Sequence, residues 1–186
     1  VVGLSLGGWM AVRLALAEPS LVSRLILIDA GGYRDQDWEA IRTLVTVRDD
    51  ADVTRLYGAL FHRVPRLFKL SRTTFRRVFQ SPVVTDTLED LAESDLFGPE
   101  EIARLQMPVA VIWGEYDGLF SEQVGRQIAH HAKRGAFYLV TDAGHGLHWE
   151  APERLVEAME DARRELPAVE AAPVSSLQPS SEAARA

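Results

Sequence analysis

Two short, uninterrupted apolar runs limit what this chain can become. Arg24-Leu-Ile-Leu-Ile-Asp29 and Val109-Ala-Val-Ile-Trp113 show no polar alternation. A strand buried on one face alternates, whereas a strand buried on both faces reads as continuous Val, Ile and Leu. Helical patterns surround them. Leu6 to Glu18 is rich in Ala, Leu and Met, and Pro19 stops it. Glu122 to Ala132 follows Ser121, a residue suited to an N-cap. Ala151 to Glu165 carries Pro152 in its first turn, where the missing N–H costs nothing. A third buried strand is expected over Ala136–Val140, and Val1-Val2 reads as the end of another. Strands separated by helices imply right-handed crossovers and a parallel sheet, an α/β architecture.

Residues 33–98 break this rhythm. Helical patterns, charges and scattered large apolar residues, among them Trp38, Leu56, Phe61, Phe68, Phe75 and Phe79, are punctuated by Pro65, Pro82 and Pro99. Three or four short helices and no strand are expected there, with the aromatic residues serving mainly as packing between helices. Residues 166–186 are rich in Pro, Ser, Ala and Glu and read as a disordered tail. The chain thus divides into a core segment at 1–32, a helical insert at 33–98, a second core segment at 99–165 and the tail.

Composition narrows the class of function. Of 186 residues, 47% are apolar and 25% charged, enough for a core. The net charge of −7 argues against a nucleic-acid partner, which calls for clustered Lys and Arg. Without cysteine there are no disulfides, no thiolate chemistry and no Cys-based zinc site. No apolar run approaches the ~20 residues of a membrane span.

Chemistry begins almost at the first residue. Gly3-Leu4-Ser5-Leu6-Gly7, followed by Gly8, matches G-x-S-x-G between an apolar stub and a helical pattern. In that setting the serine sits on a sharp strand-to-helix turn, and flanking glycines let strand and helix approach closely. The helix N-terminus favours negative charge developing there. Alone the motif is moderate evidence: chance supplies it about once in twenty chains of this length, and a glycine-rich turn with an incidental serine is the alternative. A serine nucleophile needs a base, and the base an orienting acid. Asp117 follows the strand at 109–113 and His145 follows the strand at 136–140. Both therefore fall at carboxyl ends of strands, where open α/β sheets hold their sites.

With these segments together, the sequence resembles the α/β-hydrolase family. Gly3-Leu-Ser5-Leu-Gly7-Gly8 resembles its nucleophile turn, Pro108-Val-Ala-Val-Ile-Trp113-Gly114-Glu-Tyr-Asp117 its acid-bearing segment, and Gly144-His145-Gly-Leu-His-Trp-Glu150-Ala-Pro152-Glu its histidine loop and last helix. The resemblance covers residues 1–165. It implies an incomplete α/β-hydrolase sheet flanked by helices, with 33–98 as an inserted cap over the site. It also implies a catalytic triad of Ser5, Asp117 and His145, with the Leu6 N–H as one oxyanion donor. The expected activity is hydrolysis of a carboxylic ester or similar acyl bond in a small-molecule substrate, without cofactor or metal. A serine nucleophile disfavours the dehalogenase and epoxide-hydrolase branches, which attack through aspartate. Thioester, lactone, carbon–carbon and perhydrolytic chemistry share the same triad.

The chain opens Val1-Val2-Gly3 without Met, so the family's upstream strands and its second oxyanion donor are expected before residue 1. A catalytically impaired fragment, acting as a partner-binding half-domain, is the alternative function. Asp29 also ends a buried strand and competes with Asp117 for the acid, as does Glu115 two residues earlier. His148, three residues after His145, invites a metal reading, but the glycine-rich segment around it reads as a loop rather than a helix face carrying zinc ligands. His130 and His131 belong to a solvated helix end and His62 to the surface or the cap lining. Trp9 and Trp113 read as packing residues, and Glu150 as a support of the histidine loop or a cap of the last helix.

Overall fold

A computed structural model describes residues 1–169 of the chain. Four parallel strands lie side by side in chain order: β1 (Val2–Leu4), β2 (Leu25–Ile28), β3 (Val109–Gly114) and β4 (Gly135–Val140). β2 and β3 are buried along their whole lengths, as their unbroken apolar runs require. β4 differs from expectation. It is an edge strand, half exposed, with only Val140 fully buried, because no strand pairs beyond it among the described residues.

The sheet lies between two layers. α1 (Leu6–Ala17) and α8 (Glu122–His131) cover one face, where Leu25, Leu27, Val109, Val111 and Trp113 meet Val12, Ala15 and Ile128. The final helix α10 (Pro152–Glu165) covers the other, against Ile26, Ile28, Ala110 and Ile112. Alternate residues of β2 thus point into opposite cores. Ser121 caps α8 by accepting from Gln123 N, and Pro152 opens α10. Leu166–Val169 lie against this core, since Arg24 Nε donates to Leu166 O at 2.8 Å and Val169 N to Ser23 O at 2.9 Å. The rest of the expected tail, 170–186, lies outside the described residues.

Within 33–98 the chain makes five α-helices rather than three or four: α2 (Trp38–Val45), α3 (Asp50–Leu60), α4 (Arg66–Leu70), α5 (Arg72–Phe79) and α6 (Pro82–Asp90). Asp37 and Asp49 cap the first two. Tyr57 and Phe61 of this segment pack with Phe68, Phe75 and Phe79 in a third core. The segment leaves and rejoins the sheet layer at one bridge, Tyr33 beside Phe97, after which α7 (Pro99–Ile102) leads into β3. A short helix, α9 (Leu147–Glu150), stands where the whole stretch from Gly144 to Glu150 reads as loop.

Candidate active site

Ser5 is placed by backbone geometry. Its φ of 51° and ψ of −120° lie in a region that non-glycine residues rarely occupy, a local strain of order 1–3 kcal/mol. Four backbone bonds hold it there: Ser5 N donates to Ile28 O at 2.9 Å, and Gly31 N, Gly8 N and Trp9 N donate to Ser5 O at 3.1, 2.9 and 3.2 Å. A Cβ on Gly3 would stand 2.3 Å from Gly7 O, and one on Gly8 would stand 2.6 Å from the Ala30 Cβ. Gly7, by contrast, has open space where its Cβ would be. The close approach therefore rests on Gly3 and Gly8, not on both glycines of the pentapeptide. The Ser5 hydroxyl does not cap α1, and no hydrogen bond among the described residues joins it to His145. The first N–H groups of α1, that of Leu6 among them, have no acceptor within the helix.

Asp117 and His145 are placed by side-chain hydrogen bonds. His145 Nδ1 stands 2.9 Å from Asp117 Oδ2, with both side chains buried. Asp117 Oδ1 accepts from Leu119 N at 2.8 Å and Phe120 N at 2.9 Å. The carboxylate is thereby fixed at both oxygens. With one ring nitrogen engaged by a carboxylate, the other is left to face the site.

Asp29 lies beside this pair and is fully buried. Its Oδ1 accepts from Gly114 N at 2.8 Å, and its Oδ2 has no partner among the described residues. One ligand atom from each of Asp29, Asp117 and His145 lies within 4.8 Å of the others, a set that could also hold a cation. Burial, and next the facing Asp117 carboxylate, hold the Asp29 carboxyl well above the usual carboxylate range, against the opposing pull of the Gly114 N–H. Glu115 is turned elsewhere and accepts from Asp142 N at 3.0 Å. His148 is not part of the three-residue set, and burial, then the neighbouring His145, lower its basicity.

Glu150 contributes more than its sequence position suggests. Its Oε2 accepts from Gly144 N at 2.8 Å and His62 N at 3.2 Å, and its Oε1 from Arg63 N at 2.6 Å. One carboxylate thus ties the His145 loop to the chain just past α3. Gly118 N and Gly146 N donate to Ala59 O and Leu60 O at the end of the same helix. His62 stacks on Tyr116 at 4.0 Å. The acid and histidine loops are therefore both fastened to α3. Sequence signals Glu150 as a support of the histidine loop, as its bond from Gly144 N shows, but of the fastening to α3 only the glycines that permit it: a Cβ on Gly144 would stand 2.8 Å from His62 N.

Ser5 and His145 line one cavity of about 380 Å³. Its walls are otherwise almost wholly apolar: Trp9, Trp38, Ile41, Val45, Phe79 and Phe120 are among them, and no Lys, Arg, Asp or Glu among the described residues lines it. Trp38 and Phe79 are thus lining residues as well as packing residues. Trp9 faces the cavity, whereas Trp113 is core.

A strained serine turn after β1, a buried acid–histidine pair past the ends of β3 and β4 and an apolar chamber under helices define an open-sheet α/β hydrolase architecture. The model of the α/β hydrolase fold family matches residues 1–152, and the chain belongs to that family. It is 25% identical over 177 residues to a 2-hydroxy-6-oxononadienedioate/2-hydroxy-6-oxononatrienedioate hydrolase of Paraburkholderia xenovorans, with 83% of this chain and 58% of that protein covered. It is 22% identical over 164 residues to Lipase 1 of Psychrobacter immobilis, covering 77% of this chain and 48% of the lipase. The crystal structure of a bacterial membrane phospholipase A superimposes with a TM-score of 0.74 at 22% identity, covering 88% of this chain and 56% of that one. The chain spans less than two thirds of the length of each of these relatives.

Proposed function

We propose that the chain carries the catalytic serine, acid and histidine of a serine hydrolase that cleaves a carboxylic ester or similar acyl bond. The observation that carries this reading is the buried 2.9 Å contact between His145 Nδ1 and Asp117 Oδ2, with His145 and Ser5 lining one apolar cavity. In this reading Ser5 is the nucleophile, His145 the general base and Asp117 the acid that fixes the imidazole tautomer and stabilises the imidazolium. Ser5 Oγ attacks the carbonyl carbon while His145 Nε2 takes its proton. The tetrahedral oxyanion is met by the Leu6 N–H at the start of α1. The bond to the leaving oxygen then breaks as the imidazolium protonates it, leaving an acyl-enzyme. Water attacks the acyl carbon with His145 again as base, and its proton returns to Ser5 as the acid leaves. No cofactor enters these steps.

The cavity argues for an uncharged, apolar group on the substrate. A carboxylate placed among Trp38, Ile41 and Phe79 would lose its hydration without a cation to replace it. A doubly charged substrate, such as the name of the Paraburkholderia relative implies for that enzyme, fits this lining poorly. Neutral short-chain esters are expected to turn over faster than their ω-carboxylated analogues by on the order of a hundredfold. The helices at 33–98 act as the cap that shapes this chamber.

One observation favours a second reading. Val2 on the outer edge of β1, and Leu6, Met10 and Leu14 along α1, expose apolar side chains on one flank of the sheet. Such a flank suits a half-domain that binds a partner chain. Labelling with a fluorophosphonate, read by intact mass and peptide mapping against Ser5→Ala, separates the two. Labelling confined to Ser5 is expected. Soluble, folded chain that stays unlabelled would give the partner-binding reading the lead.

A further inference from the structure

Asp29 has no role in the steps above, yet it is the most deeply buried acid beside them. It follows β2 with φ 43°, a left-handed conformation uncommon for any residue but glycine. Its Oδ1 is held by Gly114 N, the last residue of β3 and the first of the turn that leads to Asp117. Its Oδ2 is shielded from water and receives no N–H or O–H among the described residues, and one oxygen of the carboxyl lies within 4.8 Å of ligand atoms of Asp117 and His145. Two carboxyl groups that meet without water or cation between them do not both ionise. The hydrogen bonds decide which one keeps the charge. Asp117 accepts from Leu119 N, Phe120 N and the His145 ring, whereas Asp29 accepts from Gly114 N alone. A carboxylate that accepts more N–H groups is the better anion. Among the described residues, Glu150 of α9 also acts on Asp29, and its negative charge opposes a second anion there.

We infer that Asp29 is a neutral carboxylic acid that donates its proton to the Asp117 carboxylate, a positioning residue that fixes the acid of the site and moderates the basicity of His145. This rests on the serine-hydrolase reading for its catalytic consequence, though not for the protonation of Asp29. The proton stays between Asp29 and Asp117 throughout; His145 alone exchanges a proton with Ser5. A neutral donor draws charge from Asp117 and so lowers the affinity of His145 for its proton. An ionised Asp29 would raise that affinity.

Infrared difference spectra of the chain against its Asp29→Asn variant at neutral pH test the protonation directly. A carbonyl-stretch band of a protonated carboxyl is expected in the wild-type chain and is lost in the variant. Its absence from the wild type overturns the proposal, whether a cation or nothing balances the charge. The catalytic consequence is read from the pH profile of kcat/KM for a neutral ester. Asp29→Leu, which cannot donate, is expected to lose roughly 10–100-fold in kcat and to shift the acid limb upward. Asp29→Asn can accept from Gly114 N and donate to Asp117. It is expected to recover all but roughly fivefold of the loss, with the limb unmoved. An acid limb that falls by about a pH unit in Asp29→Asn would show that the wild-type residue is charged. Wild-type kinetics in Asp29→Leu would overturn the positioning role. Undiminished ester turnover in Ser5→Ala would instead sink the serine-hydrolase reading, and the infrared band would still decide the state of Asp29.

Discussion

The two ends of the site are built on unlike supports. Asp117 and His145 are held by side-chain hydrogen bonds in a buried pocket, and Glu150 ties the histidine loop to the chain past α3. Ser5 is held by backbone strain and backbone hydrogen bonds, in the turn just past β1, beside exposed Leu6 and Met10. One end depends on which side chains are present, the other on which are absent. Substitutions that delete a functional group should therefore hurt the acid–histidine end. At the serine end, substitutions that add an atom should do the damage.

The largest expected effect tests the site as a whole. Ser5→Ala or His145→Ala is expected to lower ester turnover by the order of 10⁴ or more, with the circular dichroism of the wild type retained. Gly3→Ala then tests the serine end, since its methyl group would overlap the backbone at Gly7. A loss of about 3 kcal/mol in denaturant unfolding is expected, and wild-type stability would show that the turn is not closely packed. Glu150→Ala tests the opposite end. It strands three N–H groups at once and should cost about 2 kcal/mol. An unchanged unfolding midpoint would mean that water replaces the carboxylate.

A pH-dependent effect follows from Asp29. Its carboxyl titrates higher in the folded chain than in the unfolded one. Over the pH range between those two values the unfolded chain has lost a proton that the folded chain keeps, so stability falls as pH rises. Asp29→Asn removes that slope. The variant should gain on the wild type by at most about 1.4 kcal/mol per pH unit as pH rises above the ordinary carboxylate range. Parallel stability curves would contradict a raised Asp29. The smallest effect is expected at Gly7, where a methyl group meets nothing within 4 Å. Gly7→Ala should change stability by no more than ~0.5 kcal/mol, in contrast to Gly3 four residues away.

Much of this was legible in the sequence, because the signals are local. Continuous apolar runs mark β2 and β3, and proline and serine mark the ends of α1, α8 and α10. Asp117 and His145 stand where the strand ends place them. Local pattern did not reveal that β4 is an edge, since Ala136–Val140 is apolar enough to be central and only its neighbours decide. Nor did it reveal which glycine beside Ser5 is pressed, because Gly7 and Gly8 differ only in what lies across from them. Glu150 was legible as a support of the histidine loop, through Gly144 N six residues away, but its hold on Arg63 N, 87 residues away, and that of Asp29 on Gly114 N, 85 residues away, were not, since no spacing rule reaches that far.

The bridge between Tyr33 and Phe97 carries a consequence for descent. Arg34 N donates to Phe97 O, and Phe97 N to Gly32 O, so the excursion between β2 and β3 starts and finishes at one pair of neighbouring residues. The entropy of closing such an excursion grows only logarithmically with its length. Insertions, deletions or wholesale exchange between these two points therefore leave strand register untouched. What such exchange must preserve is the end of α3 and the chain just past it, which supply the carbonyls of Ala59 and Leu60 to the loops beneath and the N–H groups of His62 and Arg63 to Glu150. Within that limit, the walls that residues 33–97 contribute to the chamber can be redrawn while Ser5, Asp117 and His145 keep their places beneath it.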